Sequence, residues 1–200
     1  SFHPVSVKQD EDGWYIYDMG TNFVGFTEVK MPAVADGEQV ELHYDDYFLT
    51  DSVGFREGLY TDYYIGNGKA NGSFSSKFNY KGYRYLKLIG LKEALPLSAI
   101  TASTVRTDYS GNASFACSDE DMNAIFAMTR NTLEALSLGG YIVDCPQIER
   151  LGYGGDGNAS AVTAQTFFNL APLYMNWMQA WSDCQREDGG MPHTAPNPYT

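Results

Sequence analysis

The segment DCPQIERLGYGGDGN, Asp144 to Asn158, concentrates side chains that can do acid and hydrogen-bonding chemistry. Three of them are carboxylates, from Asp144, Glu149 and Asp156. Like charges that share a site repel one another, so one carboxylate of such a cluster can stay protonated near neutral pH and act as a general acid. The others can accept hydrogen bonds from vicinal sugar hydroxyls, and Tyr153 can stack on the apolar face of a sugar ring. The glycines allow sharp turns and a close approach of the backbone to a ligand.

The same segment has simpler interpretations. It can be an acidic surface loop in which an aspartate caps a helix. It can also bind calcium, although its acidic residues lack the alternating spacing of an EF-hand loop. The run GYGGDG does not follow a strand as a GxGxxG motif and no P-loop lysine follows it, which disfavours phosphate binding. From the residues alone, the sugar site, the capped loop and the calcium loop stay open.

The composition of the chain limits the classes of molecule that it can bind. The chain has 200 residues, of which 44% are hydrophobic, and a formal net charge of -12. This acidity argues against nucleic acid and anionic membrane surfaces as partners, but not against a neutral ligand. Cys117, Cys145 and Cys184 are widely spaced and predict no disulfide framework. No zinc spacing is present, so we expect neither a metal nor a cofactor, and no apolar run approaches the roughly 18 residues of a membrane span.

The first half of the chain, to about residue 107, has the period of β-strands. VELHY alternates apolar and polar residues, as does a strand with one buried face. WYIY, the residues around Phe78 and Tyr80, GYRYLKLIGL and AITASTVRT also predict strands. Glycine turn signals separate these runs at Asp36-Gly37, Asn67-Gly68, Asn71-Gly72 and Lys81-Gly82. Many short strands with such turns predict an antiparallel β-sandwich.

After Cys117 the period changes to that of helices. Ser118 and Asp121 have the spacing of a capping box, which predicts an N-cap at Ser118. A predicted amphipathic face follows, formed by Met122, Ile125, Phe126, Thr129, Leu133 and Leu136. Gly139-Gly140 would end this helix.

Two more helices are predicted, one from Ala159 to Leu170 and one that starts at Pro172 and continues to about Arg186. The polar stretch DYSGNASFA separates the two halves. We therefore expect a sandwich domain over residues 1–110 and a helical domain over residues 111–200.

The segment DCPQIERLGYGGDG resembles the signature of bacterial α-L-rhamnosidases, glycoside hydrolase family 78. That signature reads roughly Asp-Cys-Pro-x-x-Glu-Arg-x-Gly-(Trp/Tyr)-x-Gly-Asp. The matching residues, in order and without a gap, are Asp144, Cys145, Pro146, Glu149, Arg150, Gly152, Tyr153, Gly155 and Asp156. DGGMPHTAP, Asp188 to Pro196, resembles a second family segment, and YDMGTNFVGF, TDYYIGNG and YKGYRYLKLIG resemble its sandwich strands. The resemblance spans nearly all of the chain.

The resemblance implies a β-sandwich followed by the first helices of an (α/α)6 barrel. It implies an inverting glycosidase that removes terminal α-L-rhamnosyl residues from polysaccharides or glycosides. Glu149 would be the general acid, and Asp144 and Asp156 would bind rhamnose hydroxyls. Arg150 would hold the carboxylates in place, and Tyr153 would form part of the sugar-facing wall.

Two residues depart from the family pattern: Ile148 stands where many members have arginine, and Tyr153 replaces the more usual tryptophan. The family's general base lies far downstream in the barrel, so we expect these 200 residues to be a fragment that is inactive by itself. The alternatives are another exo-glycosidase on the same barrel, or a non-catalytic relative whose sandwich binds sugar. The linkage, the oligomeric state and the compartment, bacterial cytoplasm or periplasm, stay open.

Several residues outside the signature have structural interpretations. We expect His193 at the surface, and Trp177 and Trp181 in the helical core. Cys145 would be a small buried hydrophobic residue. Arg84 would either pair with an acid at the domain interface or lie on a solvated sheet face.

Overall fold

The computed structural model describes residues 1–47, 60–69, 72–109 and 113–198. The chain divides into two compact units, Ser1–Val105 and Arg106–Thr200. The first consists of strands and the second of helices, in the order predicted. The predicted domain boundary near residue 110 stays a prediction.

The first unit is an antiparallel β structure. Its strands are β1 (Ser6–Gln9), β2 (Tyr15–Met31), β3 (Gln39–Asp45), β4 (Thr61–Ile65), β5 (Gly72–Ser75), β6 (Lys81–Ile89) and β7 (Ile100–Thr104), and a 3-10 turn covers Leu97–Ala99. The strands lie in the order β1-β2-β6-β3-β4, with β5 and β7 also paired to β2. Every described pairing is antiparallel, which confirms that part of the prediction.

The long strand β2 joins two groups of partners. Its first part pairs with β1 and β6, and its second part pairs with β7 and β5. The register against β6 shifts between Asp18 and Phe23. Gly20 lies in this irregular stretch with a φ of 82°, a value that favours glycine, and its N–H donates to Asp18 Oδ1 over 2.7 Å. The glycine therefore accommodates the shift of register, after which β2 pairs with β6 again from Phe23 to Gly25.

The core of the first unit comes from the alternation of its strands. Tyr17, Leu42, Leu86, Leu88 and Ile100 are completely buried. Tyr17 lies opposite Leu86, and Leu42 lies opposite Leu88, so that period-2 patterns on three neighbouring strands point to the same side. The apolar alternation read from the sequence thus forms the core.

Two local predictions for this unit are wrong. Phe78 is 98% exposed and lies between β5 and β6, because a turn closed by Ser76 Oγ and the Asn79 carbonyl (3.1 Å) interrupts the strand. Lys81-Gly82 is not a turn but the start of β6, where the Lys81 ammonium is buried against Asp62 Oδ1 at 3.2 Å. Asn71 of another predicted turn lies outside the described residues.

Arg84 pairs within its own unit. Its guanidinium makes two bonds to Asp18, Nε to Oδ1 at 2.8 Å and Nη2 to Oδ2 at 3.0 Å. This bidentate contact holds the pKa of the Asp18 carboxyl below its usual value. The acid partner therefore lies on the neighbouring strand of the same unit, whereas the prediction placed it at the domain interface.

We expect Tyr17→Phe to destabilise the first unit by about 1–3 kcal/mol. The Tyr17 hydroxyl donates to the Leu95 carbonyl at 3.0 Å and accepts from the Leu95 N–H at 2.6 Å, and burial raises its pKa to about 12. Removing it leaves two buried backbone groups of Leu95 without this partner. Denaturant unfolding followed by circular dichroism measures the loss.

The control is Tyr15→Phe, which removes a hydroxyl that donates to the Lys92 carbonyl over 3.2 Å at an exposed site. Water can replace this partner, so we expect less than about 1 kcal/mol. Equal effects of the two changes would contradict the assignment of Tyr17 as a buried tie.

The second unit contains three described helices, α1 (Glu120–Leu136), α2 (Gly154–Phe167) and α3 (Ala171–Asp183). The N-cap of α1 is Asp119, not Ser118 as predicted, because the Asp119 carboxylate accepts from the N–H groups of Asp121 and Met122. Pro172 lies in the first turn of α3, as predicted. The start of α2 at Gly154 rather than Ala159 corrects the prediction and moves Asp156 from a loop into a helix.

The core of the second unit lies around Trp177, which is 2% exposed. It includes Leu133, Ile142, Ala164, Phe167, Phe168, Leu170, Leu173 and Ala195. The predicted apolar face of α1 is buried only at Leu133, whereas Met122 and Ile125 are 48% and 49% exposed. In the part of the chain that the structure describes, no helix combines the length and apolar character needed to cross a membrane.

Candidate active site

The segment from Asp144 to Tyr153 is a closed loop that its own side chains hold together. The Asp144 N–H donates to the Leu151 carbonyl (3.1 Å), and the Leu151 N–H donates back to Asp144 Oδ1 (3.0 Å). The other carboxylate oxygen, Oδ2, accepts from the Cys145 thiol at 2.9 Å. The half-buried Asp144 therefore holds both ends of the loop together. This structural role was not predicted; the sequence predicted only a contact with sugar hydroxyls.

Cys145 has a polar environment rather than the apolar one expected. Besides donating to Asp144, its Sγ accepts the N–H of Glu149 over 3.3 Å. The thiol thus connects the start of the loop to the backbone of the predicted acid. Cys145 is half-buried and free of any disulfide.

Arg150 turns the chain immediately after Glu149. Its φ of 57° lies in the left-handed region, which costs roughly 1–2 kcal/mol in a residue other than glycine. Its Nε donates to the Pro146 carbonyl over 2.7 Å, which helps to hold this turn. The predicted role of Arg150 in holding the carboxylates stays a prediction.

The Glu149 side chain is exposed and hydrogen-bonded to a tyrosine. The Tyr153 hydroxyl donates to Glu149 Oε2 over 2.7 Å. A carboxylate that reaches solvent can meet a substrate and exchange its proton there. The sequence placed Tyr153 in the sugar-facing wall but did not predict this bond.

Asp156 lies in the first turn of α2 and is exposed. A carboxylate in this position is stabilised by the N-terminal end of the helix dipole. The N-cap residue is Tyr153, without a side-chain capping bond, so an aspartate is not the cap of this helix. The predicted contact of Asp156 with rhamnose stays a prediction.

The second sequence motif lies directly against the first. The Ala195 N–H donates to the Gly152 carbonyl at 3.0 Å, and Thr194 forms a β-bridge with Tyr153. Trp177 Nε1 donates to the Ala195 carbonyl over 2.7 Å and so ties this backbone to α3. The sequence did not predict this contact between the two motifs. His193 of the second motif is exposed, as predicted.

Gly152 and Gly157 make this packing possible. A Cβ on Gly152 would lie 2.3 Å from the Ala195 carbonyl oxygen, and one on Gly157 would lie 2.5 Å from the Trp177 ring. Neither site has room for a side chain. These two glycines are therefore required by close packing rather than by loop flexibility.

An apolar groove of about 410 Å³ begins at Gly154, next to Tyr153. Its walls come from Gly154, Gly157, Asn158, Tyr174, Trp177, Met178, Trp181 and Met191. The half-buried Trp181 therefore lines a surface as well as packing on the core. Burial raises the pKa of the Tyr174 hydroxyl. The described residues contain no group of three or more His, Cys, Asp or Glu side chains placed to hold a metal ion.

Two family models match the chain. Residues 8–106 match the bacterial α-L-rhamnosidase concanavalin-like domain, and residues 110–200 match the bacterial α-L-rhamnosidase 6 hairpin glycosidase domain. These matches confirm the predicted fold, an antiparallel β-sandwich followed by the first helices of a six-hairpin domain.

Similar proteins share the same name. An α-L-rhamnosidase of Formosa agariphila is 28% identical over 187 residues, which cover 89% of this chain and 19% of that protein. The structure of an α-L-rhamnosidase from Dictyoglumus thermophilum superposes with a TM-score of 0.88 at 28% identity, covering 99% of this chain and 23% of the other. A Streptomyces avermitilis α-L-rhamnosidase complexed with L-rhamnose has the same fold, with a TM-score of 0.88 at 23% identity over 98% of this chain and 19% of that one. The chain therefore spans about a fifth of the length of these relatives.

Proposed function

Because the chain belongs to the bacterial α-L-rhamnosidase family, we propose that it supplies the proton-donating part of an inverting α-L-rhamnosidase. The reaction is hydrolysis of terminal α-L-rhamnosyl residues in polysaccharides or glycosides. Since the chain spans about a fifth of its relatives' length, we also propose that it works within a longer polypeptide, and the activity tests below use that polypeptide.

The observation that carries this proposal is the setting of Glu149. Its carboxylate is exposed, accepts a hydrogen bond from the Tyr153 hydroxyl at 2.7 Å, and lies on a loop closed by Asp144. A general acid needs access to the glycosidic oxygen and a fixed direction of approach. In the proposed reaction, protonated Glu149 gives its proton to that oxygen as the bond to the anomeric carbon breaks.

The other predicted residues supply binding and charge in this proposal. Asp144 and Asp156 accept hydrogen bonds from rhamnose hydroxyls; each Asp144 oxygen already accepts one internal bond and has a further lone pair. Arg150 adds positive charge beside Glu149. The ring of Tyr153 and the apolar groove that begins at Gly154 suit a 6-deoxy sugar, which has a methyl group in place of a hydroxymethyl group.

An inverting mechanism also needs a base. A second carboxylate about 6.5–9.5 Å from the acid must activate water on the opposite face of the sugar. We propose that this base lies in the part of the relatives' length that the present chain does not cover. The 200-residue chain alone is then expected to bind but not to turn over an aryl α-L-rhamnoside.

The stereochemistry of the first product tests the proposal. The longer polypeptide should release β-L-rhamnose from an aryl α-L-rhamnoside, followed by slow mutarotation, because water attacks from the face opposite the leaving group. Proton NMR of the anomeric signal during the first minutes measures this. Initial release of the α-anomer would contradict inversion, and sugar binding without turnover would favour the non-catalytic relative.

A further inference from the structure

We infer that Tyr153 is a positioning residue whose hydroxyl sets the direction of the Glu149 carboxylate; this rests on the proposed role of Glu149 as the general acid. The Tyr153 hydroxyl lies 2.7 Å from Glu149 Oε2. A role in the sugar-facing wall uses only the ring of Tyr153. The hydrogen bond adds a second task that a tryptophan at this position would not perform with the same geometry.

The backbone of Tyr153 is fixed from both sides. Its N–H donates to the Leu151 carbonyl over 3.1 Å, and it forms a β-bridge with the buried Thr194. The next N–H, from Gly154, points to the His193 carbonyl at 3.4 Å. The backbone of Tyr153 therefore has a defined position, and only two side-chain torsions determine where its hydroxyl lies.

Glu149 is less restrained than Tyr153. Its backbone N–H meets the Cys145 thiol at 3.3 Å, but its side chain is exposed and has three torsions. An exposed glutamate exchanges among several rotamers unless a partner selects one. The Tyr153 hydroxyl is the better fixed of the two groups and selects one rotamer of Glu149. Tyr153 therefore positions Glu149, rather than the reverse.

The bond also distinguishes the two carboxyl oxygens. Because Oε2 accepts from the phenol, the transferable proton of the acid form lies on Oε1, and the bond to Oε2 persists in both protonation states. After the proton has moved to the glycosidic oxygen, the carboxylate is charged and the same hydrogen bond becomes stronger. An interaction that strengthens during the reaction lowers the barrier.

The test is Tyr153→Phe in the longer polypeptide, which keeps the ring and removes the hydroxyl. We expect kcat to fall about 10-fold or more, since hydrogen bonds to charged groups are among the strongest, while KM stays within about 2-fold because the ring remains.

Tyr109→Phe is the matched control. The Tyr109 hydroxyl donates to the Ser137 carbonyl over 3.1 Å, outside the loop that carries Glu149, so its loss should lower thermal stability and leave kcat within about 2-fold of the parent's. An unchanged kcat in Tyr153→Phe would overturn the inference. A rise in KM alone would also overturn it, because it would assign the hydroxyl to substrate contact. Loss of folding in Tyr153→Phe, seen by circular dichroism, would overturn it in favour of a purely structural tie.

Failure of the inference is distinguishable from failure of the proposed function. Glu149→Gln, measured in parallel, tests the acid itself. If Glu149→Gln is inactive while Tyr153→Phe equals the parent, only the positioning role is lost. If Glu149→Gln retains full activity towards an alkyl rhamnoside, the proposed function fails, and the role of Tyr153 fails with it.

Discussion

Glu149→Gln in the longer polypeptide is expected to lower kcat on an alkyl α-L-rhamnoside by about 10²–10⁴-fold, the usual contribution of a positioned general acid. Glutamine keeps the shape of the side chain and can still accept from the Tyr153 hydroxyl through its carbonyl oxygen. What it lacks is the transferable proton. An alkoxide is a poor leaving group, so bond cleavage without protonation is slow.

The leaving group decides whether the loss comes from acid catalysis. The leaving group of a dinitrophenyl rhamnoside departs as a stabilised phenolate and needs little protonation. The Glu149→Gln variant should therefore hydrolyse this substrate at a rate close to the parent's. Steady-state rates on the two substrates measure this contrast. Equal losses on both would show that Glu149 acts in binding or folding rather than as a proton donor.

Glu187→Gln is the control for this experiment. Glu187 is also exposed but lies after α3, outside the loop that carries Glu149. The same loss of one negative charge there should leave both rates within about 2-fold of the parent. A comparable loss in this variant would point to a general effect of charge on the acidic chain.

Much of the fold could be predicted because local periodicity and packing agree. In the first unit the alternation of VELHY and of the residues around Tyr17 corresponds to the buried faces of β3 and β2. The predictions of secondary structure are wrong where a single local contact determines the conformation of the backbone. Phe78 has a strand-forming side chain, but the Ser76–Asn79 turn leaves it exposed.

The start of α2 shows a different limit. Gly154 and Gly155 are poor helix formers, so the sequence predicted a loop up to Ala159. Their disadvantage is offset by tertiary packing, since the helix passes close to α3 and Gly157 contacts the Trp177 ring. Gly157, a small residue three positions after Gly154, lies opposite the aromatic face of α3. This spacing of small residues was the sequence signal that could have indicated an earlier start of the helix.

For the candidate site, the sequence could propose residues but not their contacts. The signature identified Asp144, Glu149, Arg150, Tyr153 and Asp156. It did not show that Asp144 closes the loop or that the hydroxyl of Tyr153 binds Glu149, because both contacts depend on a left-handed turn at Arg150. Nor did spacing indicate that Thr194 pairs with Tyr153, a contact between segments distant in sequence.

Gly152→Ala is expected to separate the two motifs and to destabilise the helical unit by about 2–4 kcal/mol, through overpacking and the loss of buried hydrogen bonds. The added methyl would lie 2.3 Å from the Ala195 carbonyl oxygen and 3.1 Å from Trp177 Nε1. Ala195 must move away, which weakens both its bond to Gly152 and its bond to Trp177.

The consequence should reach the acid as well as the core. Thr194 supports Tyr153, and Tyr153 directs Glu149, so displacing this backbone should lower kcat along with stability. Hydrogen exchange of the residues 193–195, together with the thermal midpoint of the longer polypeptide, measures the structural part. Faster exchange confined to this segment and to residues 152–154 would identify the broken contact.

Gly155→Ala is the matched control, at the second residue of α2. An added Cβ there meets nothing within 4 Å, and the residue is exposed. Replacing glycine by alanine at such a site should be neutral or stabilise the protein by about 0.4–1 kcal/mol, because alanine loses less backbone entropy on folding. Since the two variants carry the same chemical change, a difference larger than this entropic gain reports the lack of space around residue 152. Similar stabilities for both would mean that Gly152 and Ala195 do not pack as closely as described.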